Sequence, residues 1–306
     1  MIGRYSHIQR FSTKDGPGIR TTVFMKGCNL DCRWCHNPET IPYRRLLHYT
    51  TSACVHCGSC ARVCPTGATT MKDGKRQFDH TLCDGCGKCV DVCRVDALGL
   101  SGTDISAKSL ANLLLRDYDY YLDSHGGVTF SGGEPFLQAD FLLQVSTFLK
   151  EKNVSIAIDT AFNIPWSTME PLLAMTDLLL IDIKSMDREN HYRCTGVYPD
   201  FIWQNYRKLE GTDIPFLVRM PLISGMNDSD QEIDLACRFL QGRSNLVGVE
   251  ILPYHDLGVD KTKTYQGSVK EQEKFTTPTS ERMWEIAEKF EKYGVPVLGT
   301  YGGGKI

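Results

Sequence analysis

The stretch GCNLDCRWCHNPE carries Cys28, Cys32 and Cys35 as CxxxCxxC, with aromatic Trp34 directly before the last thiol. Three thiolates cannot satisfy four irons. A [4Fe–4S] cluster on this triplet therefore keeps one iron open to an outside ligand, which distinguishes a chemical site from a plain electron carrier. A zinc ion on the same three thiolates would need a fourth ligand, and His36 is badly placed for that beside Cys35. Cysteine is the compositional outlier of the chain, with thirteen in 306 residues, eleven of them between Cys28 and Cys93. In a reducing compartment disulfides do not explain such a cluster, so metal is the first reading.

Farther on, CVHCGSCARVCP and CDGCGKCVDVCR are two copies of CxxCxxCxxxC. This is the run of bacterial two-cluster iron–sulfur carriers, in which the fourth cysteine of each copy ligates the other cluster. That rule assigns Cys54, Cys57, Cys60 and Cys93 to one cubane, and Cys83, Cys86, Cys89 and Cys64 to a second. Pro65 follows the first copy as the run requires, but Arg94 stands where the second would carry proline. The change alters local rigidity or cluster potential and removes no ligand. Two four-cysteine zinc knuckles are the bland alternative, which the doubled CxxCxxC triplet disfavours. Cys194 and Cys237 stand outside any such spacing and read as packed or surface thiols.

The elements that must position these thiols form a βα series. Short β-rich runs are expected at 20–27, 127–131, 154–159, 177–182, 214–220 and 246–252. Helical patterns lie near 106–123, 138–152, 166–175, 199–211, 229–241 and 279–293. Six such units predict a parallel sheet. The first strand is separated from its helix by some eighty residues, against about 2–6 for an ordinary βα loop. That gap holds the eight cysteines from Cys54 to Cys93 and almost no hydrophobic periodicity, so metal clusters would supply the cohesion that side chains cannot. We expect an insert at 50–99 within one α/β domain made of 1–49 and 100–306.

Formal charge is −3 with both signs interspersed, which leaves no polybasic stretch for nucleic acid or an anionic membrane. The N-terminal MIGRYSHIQRFSTKDGPG lacks an apolar secretory run, and LLAMTDLLLIDI is broken by Asp177 and Asp182. The expected location is the cytoplasm.

Several polar residues share one address. SGGEP, from Ser131 to Pro135, ends the second expected strand. Paired glycines let backbone approach a ligand, and Glu134 there can take an ammonium group. Asp159 and Thr160, Asp182 and Lys184, Arg219, and His255 sit at or just beyond the carboxyl ends of successive strands, the rim where α/β barrels gather their sites.

CxxxCxxC with its aromatic, followed by GGEP at a strand end, resembles the radical S-adenosylmethionine superfamily. DGPGIR from Asp15 to Arg20, the eight-cysteine insert, LIDIK, VRMPLISGMND and LPYHDLG narrow the match to the glycyl radical enzyme activating enzymes, over essentially the whole chain. The resemblance implies an α/β fold, a partial six-stranded (β/α) barrel with a bacterial-ferredoxin-like insert carrying two [4Fe–4S] clusters. It implies that S-adenosylmethionine chelates the open iron and is reductively split to methionine and a 5′-deoxyadenosyl radical, which takes an α-hydrogen from a partner glycine. Gly132, Gly133 and Glu134 correspond to the contact with the methionyl amino group, and Lys184 suits the carboxylate. Asp182, Arg219 and His255 match positions near the ribose, methionyl and adenine portions, with Trp34 beside the cluster. Asp159, Thr160 and Asp182 match a monovalent-cation site for Na+ or K+, although DTAF here departs from the DTNG of the best-understood member.

The implied partners are a glycyl radical enzyme, offering its glycine loop, and an electron donor such as flavodoxin or ferredoxin, with the protein itself a monomer. The insert's clusters either relay electrons or brace a partner surface. Two rival readings are a radical enzyme acting on a small molecule or another peptide, and a pure electron-transfer protein, against which the missing fourth cysteine of the CxxxCxxC site argues.

Overall fold

The computed structural model describes residues 1–256, 258–270, 273–301 and 304–305. Nine strands form one sheet: β1 (Ile2–Ser12), β2 (Arg20–Met25), β3 (Thr103–Ser106), β4 (Gly127–Gly132), β5 (Ser155–Thr160), β6 (Leu178–Asp182), β7 (Phe216–Leu222), β8 (Leu246–Pro253) and β9 (Val297–Leu298). Their order is β9-β8-β7-β6-β5-β4-β2-β1-β3. From β2 to β9 every neighbour is parallel, while β1 runs antiparallel to both β2 and β3. Helices Ala139–Lys150, Trp166–Leu173, Asp200–Leu209, Asp230–Leu240 and Ser280–Lys292 connect or follow the parallel strands.

A parallel sheet covered on both faces usually carries continuous apolar runs. These strands instead alternate. Val23, Met25, Val128, Phe130, Ile156, Ile158, Leu179, Ile181, Val218, Met220, Val249 and Ile251 are buried in one core with helix residues such as Leu110, Leu142, Leu149, Leu209, Leu240 and Phe290. The residues between them turn to the other face, and many are polar: Thr22, Thr129, Ser131, Asp159, Asp182, Arg219 and Glu250. One face of the sheet builds the core and the other is chemically furnished.

The chain leaves this sheet through a short antiparallel ladder in which Leu46–Tyr49 pairs with Leu98–Ser101, Leu46 opposite Ser101. Beyond it lie a hairpin, Thr69–Lys72 with Lys75–Phe78, and two short helices, Ser59–Val63 and Lys88–Asp91. Each helix follows a glycine at positive φ, Gly58 (74°) and Gly87 (84°), so the two cysteine runs share a local geometry. Within 50–99 the buried apolar side chains are only Ala68, Ala97 and Leu98 among the described residues.

The expected helix over 106–123 is broken into Ala107–Leu114 and Tyr118–Ser124. Asp117 lies at the break, 1 % exposed, and accepts from the Thr21 hydroxyl at 2.7 Å and from the Arg10 guanidinium. Strand β1 was not expected, because its mostly exposed polar residues mask its period. Helix Arg188–Thr195 likewise carries no apolar stripe, burying only His191, Cys194 and Thr195. Among the described residues no helix is long and apolar enough to cross a membrane.

Candidate active site

The CxxxCxxC loop leaves the carboxyl end of β2 and is held by backbone from three directions. The Gly27 and Cys28 amides donate to the Thr40 and Ile41 carbonyls at 2.7 and 3.0 Å. The Asp31 and Arg33 amides donate to the Thr195 and Cys194 carbonyls at 2.8 and 3.0 Å, so the unpredicted helix Arg188–Thr195 clamps the loop with its last turn. The Glu134 amide donates to the Gly27 carbonyl at 2.8 Å. Cys32 is 8 % exposed and packs with Leu30 and Ala161, with Cys28, Cys35 and Val197 against them. Burial raises all three thiols, Cys35 to about 12, and only an electrophile such as iron would hold them as thiolates there. Trp34 is buried with Cys194, Ile223 and Tyr254 and meets Phe275 edge-on.

GGEP closes against this loop. A Cβ on Gly133 would lie 2.0 Å from the Gly27 carbonyl oxygen, and one on Gly132, whose φ is +107°, would lie 2.4 Å from the Met25 nitrogen. Both positions exclude any side chain. Glu134 is fully buried. Its carboxylate accepts from the Phe136 amide at 3.1 Å, the Ala161 amide at 3.0 Å and the Thr160 hydroxyl at 2.9 Å, while burial raises its carboxyl to about 7. In this structure the Glu134 side chain ties β4 to β5, and the glycine backbone is what faces the Cys28 loop.

On the furnished face Arg219 meets Asp159, while Asp182 pairs with Lys184 and Thr160 and His255 have other partners. Arg219 reaches Asp159 at 3.3 Å, Glu250 at 3.2 Å and Asp15 at 3.6 Å. Ser131 donates to Asp159 at 2.6 Å. Burial raises the Asp159 carboxyl to about 6 although Arg219 pulls it down. Burial alone would lower Arg219, but its three carboxylates more than offset this and raise it. Lys184 donates to Asp182 at 2.8 Å, and Asp182 and the nearby Cys32 likewise overcome the burial that would lower the lysine. Thr160 has its hydroxyl committed to Glu134 and to the Phe162 amide, at 2.8 Å. His255 stacks on His36 at 3.9 Å between ring centroids, and its carbonyl lies 2.9 Å from His36 Nε2. Leu257 of LPYHDLG lies outside the described residues.

DGPGIR underlies this network. Asp15 accepts from the Ser12 and Thr22 hydroxyls at 2.6 and 2.7 Å, and Arg20, fully buried, donates to Thr129 Oγ1 at 2.7 Å and the Val128 carbonyl at 2.6 Å. Sequence reasoning missed Glu250 and the His36–His255 stack. The alternation in VGVEIL, a lone acid between apolar residues on a strand, was the available signal for Glu250.

The insert contains two small cavities. Cys54, Cys57, Cys60 and Cys93 line the first. Cys64, Cys83, Cys86 and Cys89 line the second. These are the two quartets that the cross-ligation rule assigns, and soft thiolates four to a cavity fit an iron–sulfur cubane. Among the described residues no three His, Cys, Asp or Glu side chains are placed to hold a single metal ion. The remaining thiols, Cys194 and Cys237, are buried in apolar clusters.

Residues 14–195 match a family described as a 4Fe-4S single cluster domain. The chain is 36 % identical to the benzylsuccinate synthase activating enzyme of Thauera aromatica, over 97 % of this chain and 92 % of that one. It is 37 % identical to the trans-4-hydroxy-L-proline dehydratase activating enzyme of Clostridioides difficile, over 93 % and 95 %. In fold it is similar to a radical SAM methyltransferase from Sphaerobacter thermophilus, with a TM-score of 0.50 and 16 % identity over 66 % of this chain and 59 % of that chain.

Proposed function

This chain belongs to the glycyl radical enzyme activating enzymes, within the radical S-adenosylmethionine superfamily, and from that premise we propose how its residues divide the work. The observation that carries the reading is the joining of an open three-cysteine loop to the GGE turn at one end of a sheet whose inner face is polar. With a [4Fe–4S] cluster on Cys28, Cys32 and Cys35, one-electron reduction of bound S-adenosylmethionine supplies a 5′-deoxyadenosyl radical that takes a hydrogen atom from a glycine α-carbon of the partner enzyme.

The chain's own task is to bind, orient and exclude water. Gly132 and Gly133 bring backbone beside the Cys28 loop, where their carbonyls suit the methionyl amino group, and Glu134 fixes that turn from beneath. Lys184 is the cation for the methionyl carboxylate, held ready by Asp182. Arg219 and Asp182 face the ribose and methionyl portions, and His255, its ring plane set by the stack on His36, lies towards the adenine. Trp34 stiffens the cysteine loop from behind. A monovalent cation, Na+ or K+, would take Asp159 and Asp182 with the carbonyl rather than the committed hydroxyl of Thr160.

We read the run from β2 to β8 as the partial six-stranded barrel, formed by 1–49 and 100–306, and the 50–99 segment as the ferredoxin-like insert. What supports three clusters is the pair of four-thiol cavities in the insert beside the CxxxCxxC loop. Cys57 and Cys86, the exposed members of the two quartets, are where flavodoxin or ferredoxin would deliver electrons, in a cytoplasmic and monomeric protein. The partner must release its glycine loop, because a folded interior keeps the α-hydrogen out of van der Waals reach.

The test mixes this protein anaerobically with the glycyl radical enzyme encoded beside it, S-adenosylmethionine and a reductant. A doublet glycyl radical signal, with deuterium moving from the glycine α-carbon into 5′-deoxyadenosine, is expected. Unlabelled deoxyadenosine and no radical on the neighbour would point to a small-molecule substrate.

A further inference from the structure

Arg76 is 9 % exposed in an insert that otherwise buries little. Its guanidinium is stacked 4.7 Å from the Tyr49 ring centroid and 5.0 Å from that of Phe78. One terminal nitrogen donates to Gln266 Oε1 at 2.6 Å, the other to Thr69 Oγ1 at 3.4 Å, and both partners are neutral. Among the described residues its Nε is buried with no partner. A buried cation without a counter-charge is destabilising, so the site calls for an anion. Arg76 lines the cavity of Cys54, Cys57, Cys60 and Cys93. The second cavity has Asp84 in its wall instead.

We propose that Arg76 is the counter-charge of the cluster held by Cys54, Cys57, Cys60 and Cys93, a positioning residue that lifts the potential of this cluster above that of its neighbour. The proposal rests on the two-cluster reading of the insert. Reduction adds one negative charge to a cluster, and a fixed cation in a partly desolvated cavity stabilises the reduced form, whereas the second cavity has only the exposed, water-screened Asp84 in its wall. The guanidinium is also felt at Cys89 of the second quartet, so that cluster shifts less rather than not at all. Through Gln266 the same side chain joins the 258–270 segment, whose Gly258 packs against Cys35 and His36 and whose Lys261 bonds Asn37 and Glu39 at 2.8 Å. Arg76 thus links the wall of the first cavity to the segment that packs on the CxxxCxxC loop.

The experiment is a redox titration followed by electron paramagnetic resonance on the full, anaerobically reconstituted protein, with Cys57→Ser used to assign the signals. In Arg76→Met, at unchanged iron, the reduced-to-oxidised ratio of the first cluster at fixed potential should fall about tenfold, about 59 mV for a one-electron couple. The second should move less, and Arg76→Lys should restore the wild-type gap. A gap unmoved in Arg76→Met, or equally lost in Arg76→Lys, overturns the role. If Arg76→Met sheds iron, retention by Arg76→Lys supports the counter-charge and loss in both overturns it. Wild-type protein with about four irons per chain overturns the two-cluster reading and the proposal with it, whereas about twelve irons with unmoved midpoints overturns only Arg76.

Discussion

The Thr160 hydroxyl lies 2.9 Å from both carboxylate oxygens of Glu134, and neither residue is more than 2 % exposed. This buried tie joins the turn after β4 to the end of β5, so the glycine backbone beside the cysteine loop is braced by a group that burial has pushed to about 7. Between its ordinary 4.5 and that value the folded chain holds the proton more tightly than the unfolded chain does. Stability should therefore fall as pH rises from about 4.5 to about 7 and level above, by on the order of 3 kcal/mol. Anaerobic urea unfolding from about pH 5 to about pH 8 checks this, with Glu134→Gln reducing the slope and leaving the smaller share of Asp159, which burial raises to about 6. The same slope in the variant would place the titration elsewhere.

Gly133→Ala should displace the Cys28 loop, because the new Cβ meets the Gly27 carbonyl at 2.0 Å and the Thr40 carbonyl at 3.2 Å. Both obstacles are backbone, so a cost of about 1–3 kcal/mol is expected. Deoxyadenosine formation should drop sharply and the resonance of the site cluster should change while the insert keeps its iron. Wild-type turnover would show that this turn has slack the geometry does not reveal.

Lys184→Met leaves Asp182 without its 2.8 Å partner and removes the cation assigned to the methionyl carboxylate. We expect affinity for S-adenosylmethionine to weaken by about 1.5–3 kcal/mol, the worth of a hydrogen bond to a charged group. Anaerobic titration calorimetry measures it, with iron content as the control. Unchanged affinity would reassign Lys184 to holding Asp182 alone.

Iron analysis after anaerobic reconstitution should give about twelve per chain, and about eight in Cys32→Ala, which should also stop S-adenosylmethionine cleavage. Replacing both Cys57 and Cys86 with alanine should leave the site cluster assembled yet slow glycyl radical formation with flavodoxin or ferredoxin as donor. Zinc in place of iron in the insert would defeat the cubane reading of both quartets.

Much of this was legible from residue spacing. The six long parallel strands fall within about two residues of where their β-rich runs placed them, because each carries an apolar alternate face that the helices cover. Each quartet that the spacing groups lines one cavity of its own. What escaped was polar. Strand β1 lies between β2 and β3 and carries many exposed or half-exposed polar residues, so its place is set by its neighbours rather than by its own pattern. Helix Arg188–Thr195 has no apolar stripe, yet DRENHYRCTG carries both of its caps: Asp187 accepts from the Asn190 amide, and Gly196 ends it at φ 77°. The commitment of Glu134 to Thr160 and Ala161 could not be read either, since strand ends show which residues share a rim but not which of them bond one another.

The ladder of Leu46–Tyr49 and Leu98–Ser101 has a consequence for how such a protein is assembled over time. The chain departs and returns through one doorway with its two ends side by side, so to the host sheet the whole 50–99 segment is a closed excursion of no net span. Lengthening a surface loop costs only about 0.6 kcal/mol per doubling, and on the two-cluster reading the excursion would draw its cohesion from cluster-bound thiols rather than from borrowed core. The neck and the Arg76–Gln266 hydrogen bond are among its fastenings to the host, so grafting it onto a sheet of the same kind means transplanting those contacts along with the cysteines.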